Sequence, residues 1–281
     1  MTPDTTARGA TVARTVAAAR SVAHSSGVEL REIEDTDELA AVSGLLSAIW
    51  HREAATPQLT VEMLKALSKT GNYVTAAFHE GRLVGAAVAF FAAPDRTSLH
   101  SHIAGVVDDR RARNIGYALK LHQRAWALTR GIPTITWTFD PLVCRNAHFN
   151  IAKLGARAVE YLPDFYGEMG DAVNAGDQSD RLLVAWDLLA ENAVPPVRDA
   201  GTVLGIAPDG TPRRGDWPGA HAIVAVPPDI ERLRTERPRL AAEWRLAVRD
   251  VLGSALAGGA RIVEFRRDQG YVISAGEEVS A

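Results

Sequence analysis

A glycine that directly follows a charged segment, at the start of an apolar-periodic run, is the feature of this sequence that points most clearly to chemistry. The stretch VVDDRRARNIGYALKLHQRAW places Arg111, Arg113 and Asn114 just before Gly116. The first backbone N–H groups of a helix lack intrahelical partners, and the helix dipole adds about half a positive charge at that end. A glycine there removes the Cβ that would keep phosphate oxygens away from the backbone. The stretch therefore predicts a strand, a loop and a helix whose N-terminus holds a pyrophosphate.

Composition narrows the class of protein. The chain has 281 residues, of which 47% are hydrophobic, enough for one large domain and a smaller one. A net charge of -3 gives no basic surface for nucleic acid. The sequence lacks an apolar run long enough to cross a bilayer, so we expect a cytoplasmic protein with no membrane partner. The single cysteine, Cys144, excludes an internal disulfide, and we expect no metal site.

Periodicity and turn residues predict the elements that position the loop. Residues 1–27 form an N-terminal extension with a short helix over 12–23. A strand at 28–34 precedes a helix that starts after Asp35, where Glu38 has capping-box spacing. A second helix follows, and two strands meet in a hairpin at Glu80 and Gly81. The order then continues with the strand before the loop and the helix after it. Another strand, a short helix that ends at Gly155 and two further strands follow.

This order of elements and the loop motif resemble the Gcn5-related N-acetyltransferase family. The cofactor motif of that family is Arg or Gln, two residues, Gly, one residue, and Gly or Ala. The hexapeptide RARNIG matches it at Arg111 and Gly116, with Asn114 in place of the usual glycine. Asparagine is the residue that, after glycine, best tolerates the left-handed conformation such a loop often demands. The sequence AKLGA at 152–156 is similar to the Lys-Leu-Gly-Phe of the family, and the longer phrase around it resembles a bacterial branch with a C-terminal extension.

The resemblance implies an α/β (α+β) fold with a mixed, mostly antiparallel central sheet flanked by helices over 28–190. A linker at 191–198 and a small α+β domain at 199–281 follow. It also implies acetyl-CoA or another acyl-CoA, such as succinyl-CoA, as co-substrate. The implied acceptor is a small amine, and we expect an amino acid. The implied cofactor contacts are the backbone of Val106 and Val107, the loop and helix residues Arg111, Arg113, Asn114, Ile115, Gly116 and Tyr117, and Asn146, for which helix capping is the alternative.

The family usually transfers the acyl group by direct attack of a neutral amine, which requires a base and an acid. Some relatives carry a carboxylate where this chain has His100, with His102 next on the same strand face. A histidine has a suitable pKa, although a structural hydrogen-bonded pair is the alternative. Many relatives use a tyrosine as the acid where this chain has Ile151. Tyr166 and Tyr161 are the candidates to replace it.

Two further segments leave alternatives open. The polar loop between the last two strands carries acidic residues, among them Asp164 and Glu168, which either bind the acceptor ammonium or form a solvated face. The region 199–281 has a helix over about 238–256 but no catalytic motif, and it is faintly like a degenerate second half of an acyltransferase. It packs on the first domain, shapes the acceptor cleft or forms a homodimer contact. Three classes remain: a small-molecule N-acyltransferase, a non-catalytic acyl-CoA-binding module and a protein-amine acetyltransferase.

Overall fold

The structure is a computed structural model that describes residues 3–50, 56–107, 114–167, 177–190, 197–217 and 219–276, with side chains from Gly9 onward. The chain forms two compact units. Unit 1 comprises Met1–Thr136 and Asp187–Ala190, and unit 2 comprises Trp137–Trp186 and Glu191–Ala281. The predicted domain boundaries stay predictions, because compactness rests on contacts and a domain must also fold independently.

The helices are α1 (Pro3–Ser25), α2 (Thr36–Ile49), α3 (Val61–Lys69), α4 (Ile115–Thr129), α5 (Cys144–Ala147), α6 (Ile230–Glu236), α7 (Pro238–Val248) and α8 (Ser254–Ala257). π-Helical turns extend α5 over His148–Lys153 and join α7 to α8 over Arg249–Gly253. The strands are β1 (Glu29–Glu32), β2 (Tyr73–His79), β3 (Arg82–Phe91), β4 (Ser98–Val106), β5 (Thr134–Phe139), β6 (Arg157–Leu162), β7 (Arg181–Asp187), β8 (Gly201–Ile206), β9 (Pro212–Arg214), β10 (His221–Val224), β11 (Arg261–Arg266) and β12 (Gly270–Ser274).

A seven-stranded sheet with the order β1-β2-β3-β4-β5-β7-β6 confirms the predicted fold class. Strands β1 to β4 pair antiparallel, as do β6 and β7. Strands β4 and β5 pair in parallel, with Ser98–His100 opposite Thr134–Thr136. A parallel pair needs a crossover connection, and α4 supplies it. The sheet is therefore mixed and mostly antiparallel, with the cofactor loop expected at its parallel step.

Helices α2 and α4 cover opposite faces of the sheet in unit 1. A Cβ on Gly105 would come within 2.7 Å of the ring of Trp50, which follows α2. A Cβ on Gly85 would lie 3.3 Å from Val106 and 3.4 Å from Leu119 of α4. Consecutive strand residues such as 105 and 106 point to opposite faces, so each helix has its own face to cover. The core on the α2 side consists of Ile33, Leu39, Val42, Leu46, Leu64, Val74, Ala76, Ala86, Val88 and Ile103.

Local signals placed the turns and caps correctly, with one difference. Glu80 and Gly81 adopt φ angles of 50° and 74° and join β2 to β3, as the hairpin prediction requires. Asp35 caps α2 by accepting hydrogen bonds from the backbone N–H groups of Asp37 and Glu38. The Glu38 carboxylate pairs with Arg31 of β1, so the capping box expected from spacing is only half present. The Glu38 side chain thus binds Arg31 of another element instead of the backbone at the N-cap.

The N-terminal extension differs most from expectation. The short helix predicted over 12–23 is part of a longer helix, α1, that begins at Pro3. Thr15 and Ala19 are buried, and α1 packs along α4. Short isolated helices are marginal in water, and tertiary packing supplies most helix stability. The neighbouring helix thus explains an element that local sequence under-predicts.

Strand β4 contains an irregularity at the histidines. In the pairing of β3 with β4, Val88 lies opposite Ile103 and Ala89 lies opposite Ser101, so His102 is the extra residue. Such a bulge bends a strand and re-aims its side chains, often next to a functional site. Here it allows the rings of His100 and His102 to approach the same Phe90 ring, with centroids 5.3 and 5.7 Å away.

The five-stranded sheet of unit 2 has the order β11-β12-β10-β8-β9. Its strands β8 and β10 pair in parallel, and β12 lies between β10 and β11. The same arrangement relates β4, β5, β7 and β6, in which β7 lies between β5 and β6. The connection from β8 to β10 forms β9 rather than a helix within the described residues 207–217 and 219–220. The likeness of residues 199–281 to a degenerate second half of an acyltransferase stays a prediction.

A buried ionic cluster organises unit 2. The Arg245 guanidinium donates to both carboxylate oxygens of Asp140 at 2.8 and 2.9 Å and to Asp177 at 2.9 Å. Arg234 contacts the same two carboxylates. Burial alone would raise the pKa of Asp140, but attraction and hydrogen bonds from Arg245 and Arg234 outweigh burial and hold this pKa far below its usual range. Buried ion pairs thus hold together residues that are distant in sequence.

Removal of one arginine from this cluster is expected to destabilise the protein strongly. Arg245→Met leaves two buried carboxylates short of a partner, a situation that typically costs roughly 3–5 kcal/mol. Arg232→Met removes an exposed pair with Glu236, a contact of 3.4 Å, and is expected to cost about 0–1 kcal/mol. Urea unfolding followed by circular dichroism measures both. Equal midpoints for the two variants would contradict a structural role for the cluster.

Candidate active site

Asn114, the residue directly before α4, has the left-handed backbone conformation that its sequence allowed. Asn114 adopts a left-handed conformation with φ 60° and ψ 15° and is the N-cap residue of α4. Its carbonyl accepts the N–H of Ala118 at 2.9 Å, the first bond of the helix. Arg111 and Arg113, both expected to bind the cofactor, lie outside the described residues. The departure from glycine at 114 is therefore compatible with the turn that the motif needs.

No residue in the described part of the chain requires a glycine at position 116. Gly116 is the second residue of α4, and the nearest described neighbour of a Cβ on it would be Val106, at 4.0 Å. Its backbone is not among the residues with positive φ. Glycine within a helix costs up to about 1 kcal/mol relative to alanine, and packing against the described residues does not explain its presence here. The first N–H groups of a helix lack intrahelical partners, so a glycine at this end suits a pyrophosphate.

The other predicted cofactor contacts divide into backbone and side-chain groups. The N–H of Val107 donates to the carbonyl of Val84 at 3.0 Å, so this amide is already used within the sheet and does not polarise a thioester carbonyl. Ile115 is the first residue of α4, and its side chain is completely buried. Val106 is buried, and Tyr117 is half-buried. The side chain of Ile115 is therefore a core group, whereas its N–H remains a predicted contact.

His100 and His102 lie together on β4, as predicted. Their ring centroids are 6.5 Å apart, and Nδ1 of His100 is 3.2 Å from the hydroxyl of Thr136 on β5. Burial lowers the pKa of His100, and the neighbouring His102 and Lys120 lower it further. Burial also lowers the pKa of His102. Both rings are consequently neutral at pH 7 and able to accept a proton.

Lys120 is a residue of this region that sequence reasoning missed. Its ammonium is buried, and Nζ lies 2.9 Å from the hydroxyl of Ser101 and 3.3 Å from Oε1 of Gln123. Burial lowers its pKa to about 7. Ser101 stands between the two histidines on β4, so a titratable amine lies directly behind the bulge. The only sequence signal was a lysine on the apolar face of a helix, one turn after Gly116.

The two candidate acids have different surroundings in unit 2. The Tyr166 side chain is exposed, and its hydroxyl lies 3.2 Å from the hydroxyl of Thr138 on β5. The Tyr161 hydroxyl is buried and donates to Asp180 at 2.6 Å. Burial and the Asp180 charge raise the pKa of Tyr161 well above its usual value. Tyr161 is a structural residue, whereas Tyr166 is accessible to a substrate.

The acidic loop residues are largely explained by structure. One carboxylate oxygen of Asp164 accepts the N–H and the hydroxyl of Ser179 at 3.1 and 3.2 Å. Asp177 belongs to the ionic cluster, and Glu168 lies outside the described residues. Acceptor binding by Asp164 and Glu168 therefore stays a prediction, and local hydrogen bonding accounts for the conformation of Asp164.

The two asparagines of the short helical segment, Asn146 and Asn150, differ in their roles. Asn146 is the third residue of α5, and Val143 is the N-cap, so the capping alternative for Asn146 is wrong. Its role as a pantetheine contact stays a prediction. Asn150 is buried, and its Oδ1 accepts the indole N–H of Trp137 at 3.1 Å. The π-helical turn that contains Asn150 is a feature often found near functional sites.

Two other kinds of site are not found in the part of the chain that the structure describes. No group of three or more His, Cys, Asp or Glu side chains is placed to bind a metal ion. No helix among the same residues is both long and apolar enough to cross a membrane.

Comparisons with known proteins identify likenesses in fold. No family model and no curated protein matches the chain. Ard1 from Thermoplasma volcanium is similar over 58% of this chain and 99% of its own, with 16% identity and a TM-score of 0.46. The ribosomal-protein-S18-alanine N-acetyltransferase from Escherichia coli is similar over 60% of this chain and 99% of its own, with 15% identity and a TM-score of 0.45. YncA from Salmonella typhimurium was solved with its cofactor acetyl-CoA. It is similar over 61% of this chain and 99% of its own, with 16% identity and a TM-score of 0.48. Likenesses at this identity concern the fold alone.

Substitution of Gly116 is expected to separate protein stability from cofactor binding. Gly116→Ala should leave the free protein as stable as the wild type or stabilise it by up to about 1 kcal/mol, because helix propensity rises and nothing clashes. Gly116→Glu should place a carboxylate where phosphate is expected. Saturating acetyl-CoA at a hundred times its Kd adds about 2.7 kcal/mol, or roughly 5–10 °C in Tm. This shift should shrink in the first variant and vanish in the second.

The matched control is Gly44→Ala in α2, another helical glycine with no neighbour within 4 Å of a Cβ. It should change stability as Gly116→Ala does while keeping the full acetyl-CoA shift. If Gly116→Glu kept a wild-type shift, the N-terminus of α4 would not be the cofactor site.

Proposed function

We propose that this chain is an acyl-CoA-dependent N-acyltransferase of the Gcn5-related type that transfers an acetyl or succinyl group to the amine of a small molecule, such as an amino acid. The observation that carries the proposal is Gly116, a helical glycine that packing against the described residues does not need. It follows a left-handed Asn114 at the strand-to-helix junction where the family motif is expected. The acyl donor, when bound, supplies the activated acyl group. A cytoplasmic location remains part of the proposal.

The residues of the chain then have distinct tasks. The N–H groups at the start of α4, with Arg111 and Arg113, hold the pyrophosphate. The backbone beside Val106 and Val107 positions the pantetheine arm, and Asn146 is its proposed side-chain contact. Because the Val107 amide already donates to Val84, another N–H must polarise the thioester carbonyl. Positioning contributes much of the acceleration in a direct transfer of this kind.

His100 is the proposed base. A neutral amine is the nucleophile, so the acceptor ammonium must first lose a proton. The lowered pKa of His100 keeps the imidazole neutral at pH 7, and its Nδ1 is oriented by Thr136. His102 lies beside it and is the proposed alternative. Tyr166 is the proposed acid for the departing thiolate, because its hydroxyl is accessible and hydrogen-bonded to Thr138.

One observation favours a second candidate. Ile151 stands where many relatives carry the tyrosine acid, and its side chain is buried. A chain that binds acyl-CoA without turning it over would not need that acid. This non-catalytic acyl-CoA-binding module shares the cofactor site but not the chemistry.

Release of free thiol from acyl-CoA, followed with a thiol reagent, distinguishes the candidates. We expect acetyl-CoA or succinyl-CoA to release thiol faster when a free amino acid is added than when buffer or a peptide amine is added. A cofactor-dependent Tm shift without any acceptor-stimulated release would favour the binding module. Preference for a peptide amine would favour a protein-amine acetyltransferase.

The pH dependence of kcat/KM tests His100. The base acts only when neutral, and its pKa in the folded protein is lowered. The rate should therefore fall as pH decreases through a value below about 6.5, the ordinary pKa of histidine. His100→Gln should lower the rate by about a hundredfold or more and remove this limb, whereas His102→Gln should keep the limb; the reverse pattern would assign the base to His102. An unchanged profile in His100→Gln would refute the assignment.

A further inference from the structure

A cavity of about 770 Å³ lies within unit 1, away from the proposed cofactor loop. Its walls come from α1, from β1 and from the C-terminal half of α4. The apolar part of the lining includes Val16, Ala23, Leu30 and Trp126. Cavities of roughly 300–1,000 Å³ with mainly apolar walls are typical of small-molecule sites. At 1.5 Å per helical residue, Trp126 lies roughly 15 Å along α4 from Gly116, so the two places are separate.

The charged side chains of the lining are balanced. Arg20 of α1 and Arg130, which follows α4, are basic, whereas Glu29 and Glu32 of β1 are acidic. A purely apolar ligand would shield these groups from water without replacing their hydrogen bonds, which is costly. A simple anion or cation would meet a like charge as well as an opposite one. A molecule with one group of each sign satisfies both pairs.

The Glu32 carboxylate is held in a defined position. Its Oε2 accepts the indole N–H of Trp126 at 2.8 Å and lies 3.7 Å from the Arg130 guanidinium. Arg130 in turn stacks over the Trp126 ring at 3.8 Å. The other oxygen, Oε1, makes no hydrogen bond to any residue in the described part of the chain. This leaves an oriented acceptor for an ammonium group.

His122 of α4 supplies a hydrogen-bond donor to the cavity. Its Nδ1 is 2.9 Å from the hydroxyl of Tyr73, which is completely buried. Burial raises the pKa of Tyr73 well above its usual value and lowers the pKa of His122, so the phenol keeps its proton and the ring is neutral. The phenol then donates to Nδ1, and the ring proton resides on Nε2. Nε2 has no hydrogen-bond partner among the described residues and can donate to a carboxylate.

We propose that this cavity binds a small amphoteric molecule, with a free amino acid that has an apolar side chain as the simplest member of the class. Glu32 and Glu29 receive the ammonium group, and His122 with the arginines receives the carboxylate. The apolar side chain packs between Val16, Ala23 and Leu30. This site is independent of the proposed acyl transfer, because it uses no residue of the cofactor loop.

Isothermal titration calorimetry of the full chain with three matched probes tests the proposal. L-Phenylalanine carries both charges, 2-phenylethylamine lacks the carboxylate, and 3-phenylpropanoate lacks the amine. We expect L-phenylalanine to bind, and each single-charge analogue to bind at least about tenfold more weakly, because one charge-assisted contact is lost. No binding of L-phenylalanine at millimolar concentration, or an analogue that binds equally well, would overturn the proposal.

Two variants locate the binding. Ala23→Trp places a large ring in the cavity and should abolish the heat of binding, whereas Ala18→Trp on the exposed face of α1 should not. Glu32→Gln keeps an acceptor for the Trp126 N–H but removes the charge, so it should weaken L-phenylalanine by about tenfold and leave the weak affinity for 3-phenylpropanoate unchanged or improved. Binding that survives Ala23→Trp in a folded variant would show that the ligand lies elsewhere. A variant that keeps the acetyl-CoA Tm shift is folded. If the wild-type protein shows no such shift, that result contradicts the acyltransferase proposal and not the proposed amino-acid site.

Discussion

Buried charges that cannot remain unpaired are the constraint on which unit 2 depends. Asp140 directly follows β5 and Asp177 precedes β7, and neither carboxylate is stable as an isolated ion in a dry interior. Both arginines that neutralise them, Arg234 and Arg245, come from the C-terminal helices α6 and α7. The C-terminal region is therefore an integral part of the unit that contains β6, β7 and the polar loop. The same pairing explains why Asp177, an acidic residue in a candidate acceptor loop, is not free to bind an acceptor.

Helix α4 connects most of the functional proposals in unit 1. Its N-terminus carries Asn114 and Gly116, its middle carries Lys120, and its C-terminal half carries His122 and Trp126. One face packs on β2, β3 and β4, and α1 packs along it as well. The buried ammonium of Lys120 is satisfied locally by Ser101 and Gln123. Helix α4 therefore carries the proposed backbone site at one end and lines the cavity of the proposed ligand at the other.

The bulge in β4 links fold and chemistry in a different way. An extra residue at His102 brings both imidazoles to one aromatic ring on the neighbouring strand. Regular alternation also predicts that residues 100 and 102 share a face. It does not predict their approach to Phe90, nor the serine between them that contacts Lys120. The pKa directions of His100 and Lys120 follow from that packing and are properties of the assembled sheet.

The sequence by itself determined the features whose causes are local. Turn chemistry located the hairpin at Glu80 and Gly81, a capping residue located the start of α2, and periodicity located the long C-terminal helical region that begins at Pro238. The chemistry of a loop before a helix also marked Asn114 and Gly116 without knowledge of the rest of the chain.

Only the tertiary structure decided which of these residues are buried and which charges pair. Glu38 pairs with Arg31 instead of closing a capping box, and Asp140 pairs with Arg245 across a long stretch of sequence. The full length of α1, the low pKa of Lys120 and the cavity beside Trp126 likewise depend on neighbours from other elements. The physical reason is that desolvation and ionic pairing act over distances in space, and a one-dimensional pattern records only distances along the chain.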